Sequence, residues 1–99
     1  MKKIILISLI FLIKNNTFAD DKFELGMNVF NNKAACGTCH TLQATGSVGN
    51  IGPNLDIIKP KIAQVVYAVK NGIGVMPAWE GVLTPEEIEA VAYYVFTST

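Results

Sequence analysis

The stretch "AACGTCHTL", residues 34 to 42, holds both cysteines of this chain and its only histidine. Nearly all of its soft-ligand chemistry is therefore packed between Cys36 and Thr41. Three uses fit that concentration: a redox disulfide, half of a metal site, or a covalent haem attachment. Each demands a different surrounding fold, so this short run constrains the rest of the chain more than any bulk property does.

The chain has 99 residues, enough for one small domain. Its start, "MKKIILISLIFLIKNNTFAD", has Lys2 and Lys3, a largely apolar run from Ile4 to Ile13, and then Thr17-Phe18-Ala19. That pattern is a secretory signal peptide, with cleavage expected after Ala19. The apolar run is well short of the roughly 20 residues that cross a bilayer. No stable membrane insertion is expected after cleavage. The domain expected is then 20–99, in the periplasm. Five lysines (22, 33, 59, 61, 70) remain in it against eight acids (20, 21, 24, 56, 80, 86, 87, 89), a net charge of minus three. A basic nucleic-acid face is excluded. An oxidising compartment also leaves no room for two idle thiols.

A domain this small buries a modest core and usually needs a staple. A disulfide closing four residues would constrain little, so something larger is expected to fill the interior. The elements read as helices. The first is expected over 21–32, with Phe23, Met27 and Phe30 at helical spacing and Leu25, Gly26 and Val29 widening the face. "QATGSVGNIGPNL", residues 43 to 55, reads as a loop long enough to wrap something. "KPKIAQVVYAVKNG" is a second helix, with Pro60 suiting its first turn, Ile62, Val65, Val66 and Val69 on one face, and Gly72 past its end. Thr84-Pro85-Glu86-Glu87 is a capping box that opens a third helix, striped by Ile88, Val91, Ala92 and Val95 and flanked by Tyr94 and Phe96. No strand alternation is visible. The fold class is all-α.

That context chooses among the three uses. A thioredoxin-like pair would follow a strand in a βαβ unit, whereas a helix precedes this motif. A structural zinc ion would need a fourth ligand beyond two cysteines and one histidine, such as Asp56. C-x-x-C-H as haem attachment accounts for every residue.

The chain resembles a small class I c-type cytochrome, close to the bacterial and algal photosynthetic type. "ELGMNVFNNKAACGTCH" resembles that family's first helix and motif, "GPNL" the segment supporting the proximal histidine, "NGIGVMPAW" the distal methionine loop, and "LTPEEIEAVAYYV" the terminal helix. The resemblance implies a cytochrome c fold of three main helices and glycine-rich loops around one covalent haem c. It implies thioethers from Cys36 and Cys39, His40 as an iron ligand through Nε2, and the Pro53 carbonyl as acceptor for the other ring nitrogen. It further implies close packing of Tyr94 on Gly26, and a place for Trp79 near the haem.

Met76 is the expected second ligand to the iron. Met1 leaves with the signal, and Met27 lies nine residues before Cys36 on a helix needed for packing. Pro77 holds Met76 extended, and Gly72 and Gly74 are expected to allow close backbone approach. His/Met ligation belongs to electron carriers. The expected function is therefore monomeric one-electron transfer between redox proteins rather than enzymatic catalysis. Docking is expected around Gly37, Thr38, Val75, Pro77 and Ala78. The rivals are an electron-input subunit of a dehydrogenase or oxidase, and an open-iron haem enzyme or gas sensor.

Overall fold

The computed structural model describes residues 18–99. The expected leader, apart from its last two residues, lies outside the described residues. Helix α1 spans Phe18–Asn28 and continues as one π-helical turn, Val29–Lys33. A 3-10 turn at Cys36–Thr38 follows, then strand β1 (Thr41–Leu42), a 3-10 turn at Gln43–Thr45, and strand β2 (Ser47–Val48). A short helix α2 (Leu55–Ile58) precedes α3 (Ile62–Asn71) and α4 (Pro85–Ser98).

Helix α4 carries the core because its caps and stripe agree. Thr84 Oγ1 accepts from Glu87 N–H at 3.1 Å, and Glu87 Oε1 accepts from Thr84 N–H at 2.9 Å. This is the reciprocal box that the sequence announces, with Pro85 at the first helical position. Ile88, Val91, Ala92, Tyr94 and Val95 are buried, while Phe96 is on the outside. Helix α1 crosses this face at Gly26. A Cβ there would lie 2.1 Å from the Ala90 carbonyl oxygen and 2.6 Å from Tyr94 Cβ, so only glycine fits. The expected contact with Tyr94 is present, and the backbone of Ala90 is closer still. Phe23 meets Tyr94 edge-on at 4.9 Å between centroids, and Phe30 lies 5.9 Å from the same ring.

Two details of α1 differ from the sequence reading. Met27 is 38% exposed, because the face toward α4 runs through Phe23, Gly26 and Phe30 and leaves Met27 beside it. The helical path also starts earlier and ends through the π turn, where Ala34 N–H donates to Val29 O at 2.9 Å. The π turn buries Val29 and Phe30 together before the chain enters the motif. Lys33, at the end of that turn, donates to Glu87 Oε2 and ties the entrance of the motif to α4.

The expected loop over 43–55 is partly ordered into elements. Thr41 pairs with Val48 and Leu42 with Ser47 in a two-residue antiparallel ladder. Asn54 caps α2, its side-chain oxygen accepting from Asp56 N–H at 2.9 Å and Ile57 N–H at 3.3 Å. Helix α3 starts at Ile62, two residues after the buried Pro60, and Gln64 Oε1 accepts from Lys61 N–H at 2.8 Å. Of its apolar face only Val69 is fully buried; Val65 and Val66 pack against the core from its margin.

Candidate functional site

The motif sits on a turn whose geometry follows from its neighbours. Ala35 takes a left-handed conformation, φ 48°, and reverses the chain out of the π turn. The carbonyl of Cys36 then accepts from both Cys39 N–H (3.1 Å) and His40 N–H (3.0 Å), which curls the five motif residues into one compact turn. No disulfide joins the two thiols. Burial pushes the Cys36 thiol up to about 11, against a smaller opposing effect of its backbone hydrogen bond. A protonated, half-buried thiol at the base of a packed turn is poorly suited to disulfide exchange, which needs thiolate.

The histidine is held from behind. His40 Nδ1–H donates to the Pro53 carbonyl oxygen at 2.8 Å. A carbonyl can only accept, so in the neutral ring Nδ1 carries the proton and Nε2 keeps its lone pair. Gly52 makes the seat for the ring. A Cβ at that position would lie 2.6 Å from Cε1, 2.9 Å from Nδ1 and 3.1 Å from Nε2. Gly52 N–H also donates to Cys39 O at 2.7 Å, joining this segment to the motif backbone. Gly52 lies inside "GPNL", where nothing local in the sequence marks it as the seat of a ring.

The 71–79 loop is pinched at its neck. Trp79 N–H donates to Val69 O at 2.8 Å, and inside the loop Ile73 and Met76 exchange backbone bonds of 3.1 and 2.9 Å. Gly72, at φ 76°, is crowded as expected, its Cβ position lying 2.7 Å from Met76 O. Gly74 differs: nothing lies within 4 Å of its Cβ position, and its φ of 58° is what the tight turn requires. Met76 and Trp79 both rest half-buried against the core. Val75 is 86% exposed, and Pro77, Ala78 and Thr38 are exposed too.

These facts test the three uses of the motif. A helix and π turn, not a strand, lead into it. Asp56, the carboxylate a zinc ion would have drawn on, accepts from Gln43 N–H at 2.8 Å, and no group of three metal-ligating side chains occurs among the described residues. Two unpaired thiols one turn apart, beside an imidazole whose Nε2 is left free, suit attachment of a porphyrin. Val48, Ile51, Tyr67, Ile73 and Val75 are among the large apolar side chains left exposed. The class so defined is the c-type cytochromes.

Comparison with known proteins agrees. The model of the family described as cytochrome c oxidase, cbb3-type, subunit III matches residues 21–95, and the chain belongs to this family of c-type cytochromes. It is similar to the chloroplastic cytochrome c6 of Chlamydomonas reinhardtii, 38% identical over 82 residues that cover 73% of this chain and 51% of that protein. The chain thus spans about half the length of that relative. It is also similar to cytochrome c6 of Chlorolobion braunii, 37% identical over 73% of this chain and 85% of the relative. The solved structure of the c-type cytochrome SorU from Sinorhizobium meliloti is 51% identical, with a TM-score of 0.74 over 80% of this chain and 92% of that one. The fold is the cytochrome c fold, mostly helical with one small ladder. The group carried is covalently bound haem c with its iron, and Cys36, Cys39 and His40 form the C-x-x-C-H motif for it. Among the described residues no helix is long and apolar enough to cross a membrane.

Proposed function

We propose that this chain is a one-electron carrier rather than an enzyme, working in the periplasm after removal of residues 1–19 as a signal peptide, with His40 and Met76 as the two protein ligands to the iron. The observation that carries the reading is the commitment of His40 Nδ1 to the Pro53 carbonyl, which leaves Nε2 as the ligand nitrogen. When bound, haem supplies the ferrous–ferric couple. The chain's own residues then set its potential and its contacts. Cys36 and Cys39 fix the porphyrin through thioethers. Pro53 orients the imidazole and raises its basicity. Met76 is supported as the second ligand by the constrained turn around it and by Pro77. A thioether in that position raises the potential and closes the iron to outside ligands. Trp79, at the neck of the same loop, is assigned to packing beside the haem.

The partners are redox proteins, met by a monomer through the uncharged segments at Gly37, Thr38, Val75, Pro77 and Ala78. The reading is tested on the ferric protein by the weak sulfur-to-iron charge-transfer band. Met76→Ala should abolish that band, lower the potential and open the ferrous iron to carbon monoxide. Ready binding of carbon monoxide by the unsubstituted protein at neutral pH would move the enzyme or sensor reading ahead. A second reading, a permanent electron-input subunit, draws on the oxidase-subunit description of the matching family. Size-exclusion of the native protein from its host separates the two: a free carrier elutes as a small monomer.

A further inference from the structure

We propose that Thr41, through its hydroxyl bond to Gly49, is a positioning residue for His40. The inference rests on the reading of His40 as an iron ligand and extends it to what holds that ligand in place. Thr41 directly follows His40, and its Oγ1–H donates to Gly49 O at 2.8 Å in a half-buried setting. This bond closes the hairpin at its open end, next to the pairing of Thr41 with Val48.

The hairpin is stacked on the motif turn at two points. A Cβ on Gly49 would lie 2.6 Å from the carbonyl oxygens of both Gly37 and Thr38, and 2.7 Å from the carbonyl carbon of Cys39. Ser47 covers Gly37 so closely that a Cβ there would lie 2.2 Å from Ser47 Oγ. Ser47 is itself braced by Thr45, with 2.6 Å between the hydroxyl oxygens. Beyond the hairpin the chain bonds to the turn again, from Gly52 N–H to Cys39 O at 2.7 Å, and ends at the Pro53 carbonyl that receives His40 Nδ1–H. The segment from residue 41 to residue 53 therefore forms a closed circuit that leaves His40 by its backbone and returns to its ring. The Thr41 hydroxyl ties the start of the circuit to Gly49, four residues before its end. Removing it frees Gly49 O from Thr41 and leaves residues 49–53 tied to the motif by the Gly52 N–H bond to Cys39 O and the packing of Gly49, so the Pro53 carbonyl is held less firmly against the histidine. The Nδ1–H bond to Pro53 weakens, the imidazole becomes a poorer donor, and the ferric state loses support.

The test uses the haem-loaded protein in four forms: unsubstituted, Thr41→Val, Thr41→Ser and, as a control for general destabilisation, Val91→Ala. Thr41→Val keeps the shape and deletes the hydroxyl; Thr41→Ser restores it. Exchange of the His40 Nδ1 proton is followed by NMR in the ferrous state, and the reduction potential by equilibrium titration. Thr41→Val should speed exchange about fivefold, the factor one ordinary hydrogen bond is worth, and raise the potential. Thr41→Ser should restore both, and Val91→Ala should lower the melting temperature while moving neither. Equal readings in Thr41→Val and Val91→Ala overturn the proposal. So does a freely exchanging Thr41 hydroxyl proton in the unsubstituted protein, a measurement that needs no variant to fold. An unsubstituted ferrous spectrum without histidine ligation defeats the functional reading itself, and is recognised before any variant is compared.

Discussion

Replacing Gly26 by alanine sets two known effects against each other, and the structure decides the sign. On propensity alone, alanine should stabilise a helix interior by about 1 kcal/mol over glycine. The added Cβ, however, would lie 2.1 Å from the Ala90 carbonyl oxygen and 2.6 Å from Tyr94 Cβ. Both obstacles are rigid, one backbone and one the root of a side chain, so no rotamer change relieves them. Helices α1 and α4 would have to part by about an ångström, loosening Phe23 and Phe30 from Tyr94. Overpacking usually costs about 1–3 kcal/mol, and contact with backbone puts this site at the upper end or beyond. The net expectation is a loss of roughly 2 kcal/mol, or about 10 °C in melting temperature for a domain of this size. Thermal unfolding followed by circular dichroism of the haem-loaded protein measures it. A melting temperature equal to or above that of the parent would refute the close crossing at Gly26.

Three further outcomes are expected. The Glu87 carboxyl is held below the usual carboxylate range, first by the hydrogen bond from Lys33 and then by the backbone N–H of Thr84. Its contribution is therefore complete above the ordinary glutamate value of about 4.3 and is lost as the pH falls through the lower folded value. Glu87→Gln should flatten the acid limb of the melting curve against pH, and parallel limbs would count against the assignment. A Cys36→Ala, Cys39→Ala double variant prepared without haem should be largely unfolded by circular dichroism, since the domain is too small to dispense with its staple; cooperative melting from a native helical signal would sink that idea. Finally, with a net charge of minus three over residues 20–99, stopped-flow reduction by a partner with a basic rim should slow as salt is added. A rate that ignores salt removes the electrostatic part of docking.

The elements legible in the sequence are those whose signals are local and redundant. Helix α4 is marked by Thr84, Pro85 and Glu87 before its stripe begins, and α3 by four apolar residues at helical spacing and Gly72 beyond them. The motif was legible because Cys36, Cys39 and His40 have few other uses together. The ladder of Thr41–Leu42 with Ser47–Val48 was not legible, because two residues are too few to show a period of two. Helix α2 left one usable trace, Asn54 in front of it as a cap. Met27 lies outside the buried face although it shares the apolar spacing, because spacing cannot say which residue of a face is outermost when a glycine sets the crossing point. Gly52, Gly72 and Gly74 look alike in sequence, yet one seats a ring, one sits under a crowded backbone, and one supplies only a positive φ. What distinguishes them is the chain on the other side, which no local window contains.

The neck bond between Trp79 N–H and Val69 O separates two design problems that a small protein would otherwise have to solve together. The stretch from Gly72 to Ala78 is closed off by that bond, and within it Met76 alone is packed against the frame built by α3 and α4. Loop-closure entropy rises only as about (3/2)RT ln n, so the entropic part of adding one residue to this loop is a few tenths of a kcal/mol at most, the rest being the Ile73–Met76 turn that the insertion would remodel. Under the proposed ligation by Met76, the angle and reach of that side chain would change while the frame stayed put. In such an arrangement the redox midpoint is free to drift across an evolutionary lineage without the thermal tolerance of the domain drifting with it.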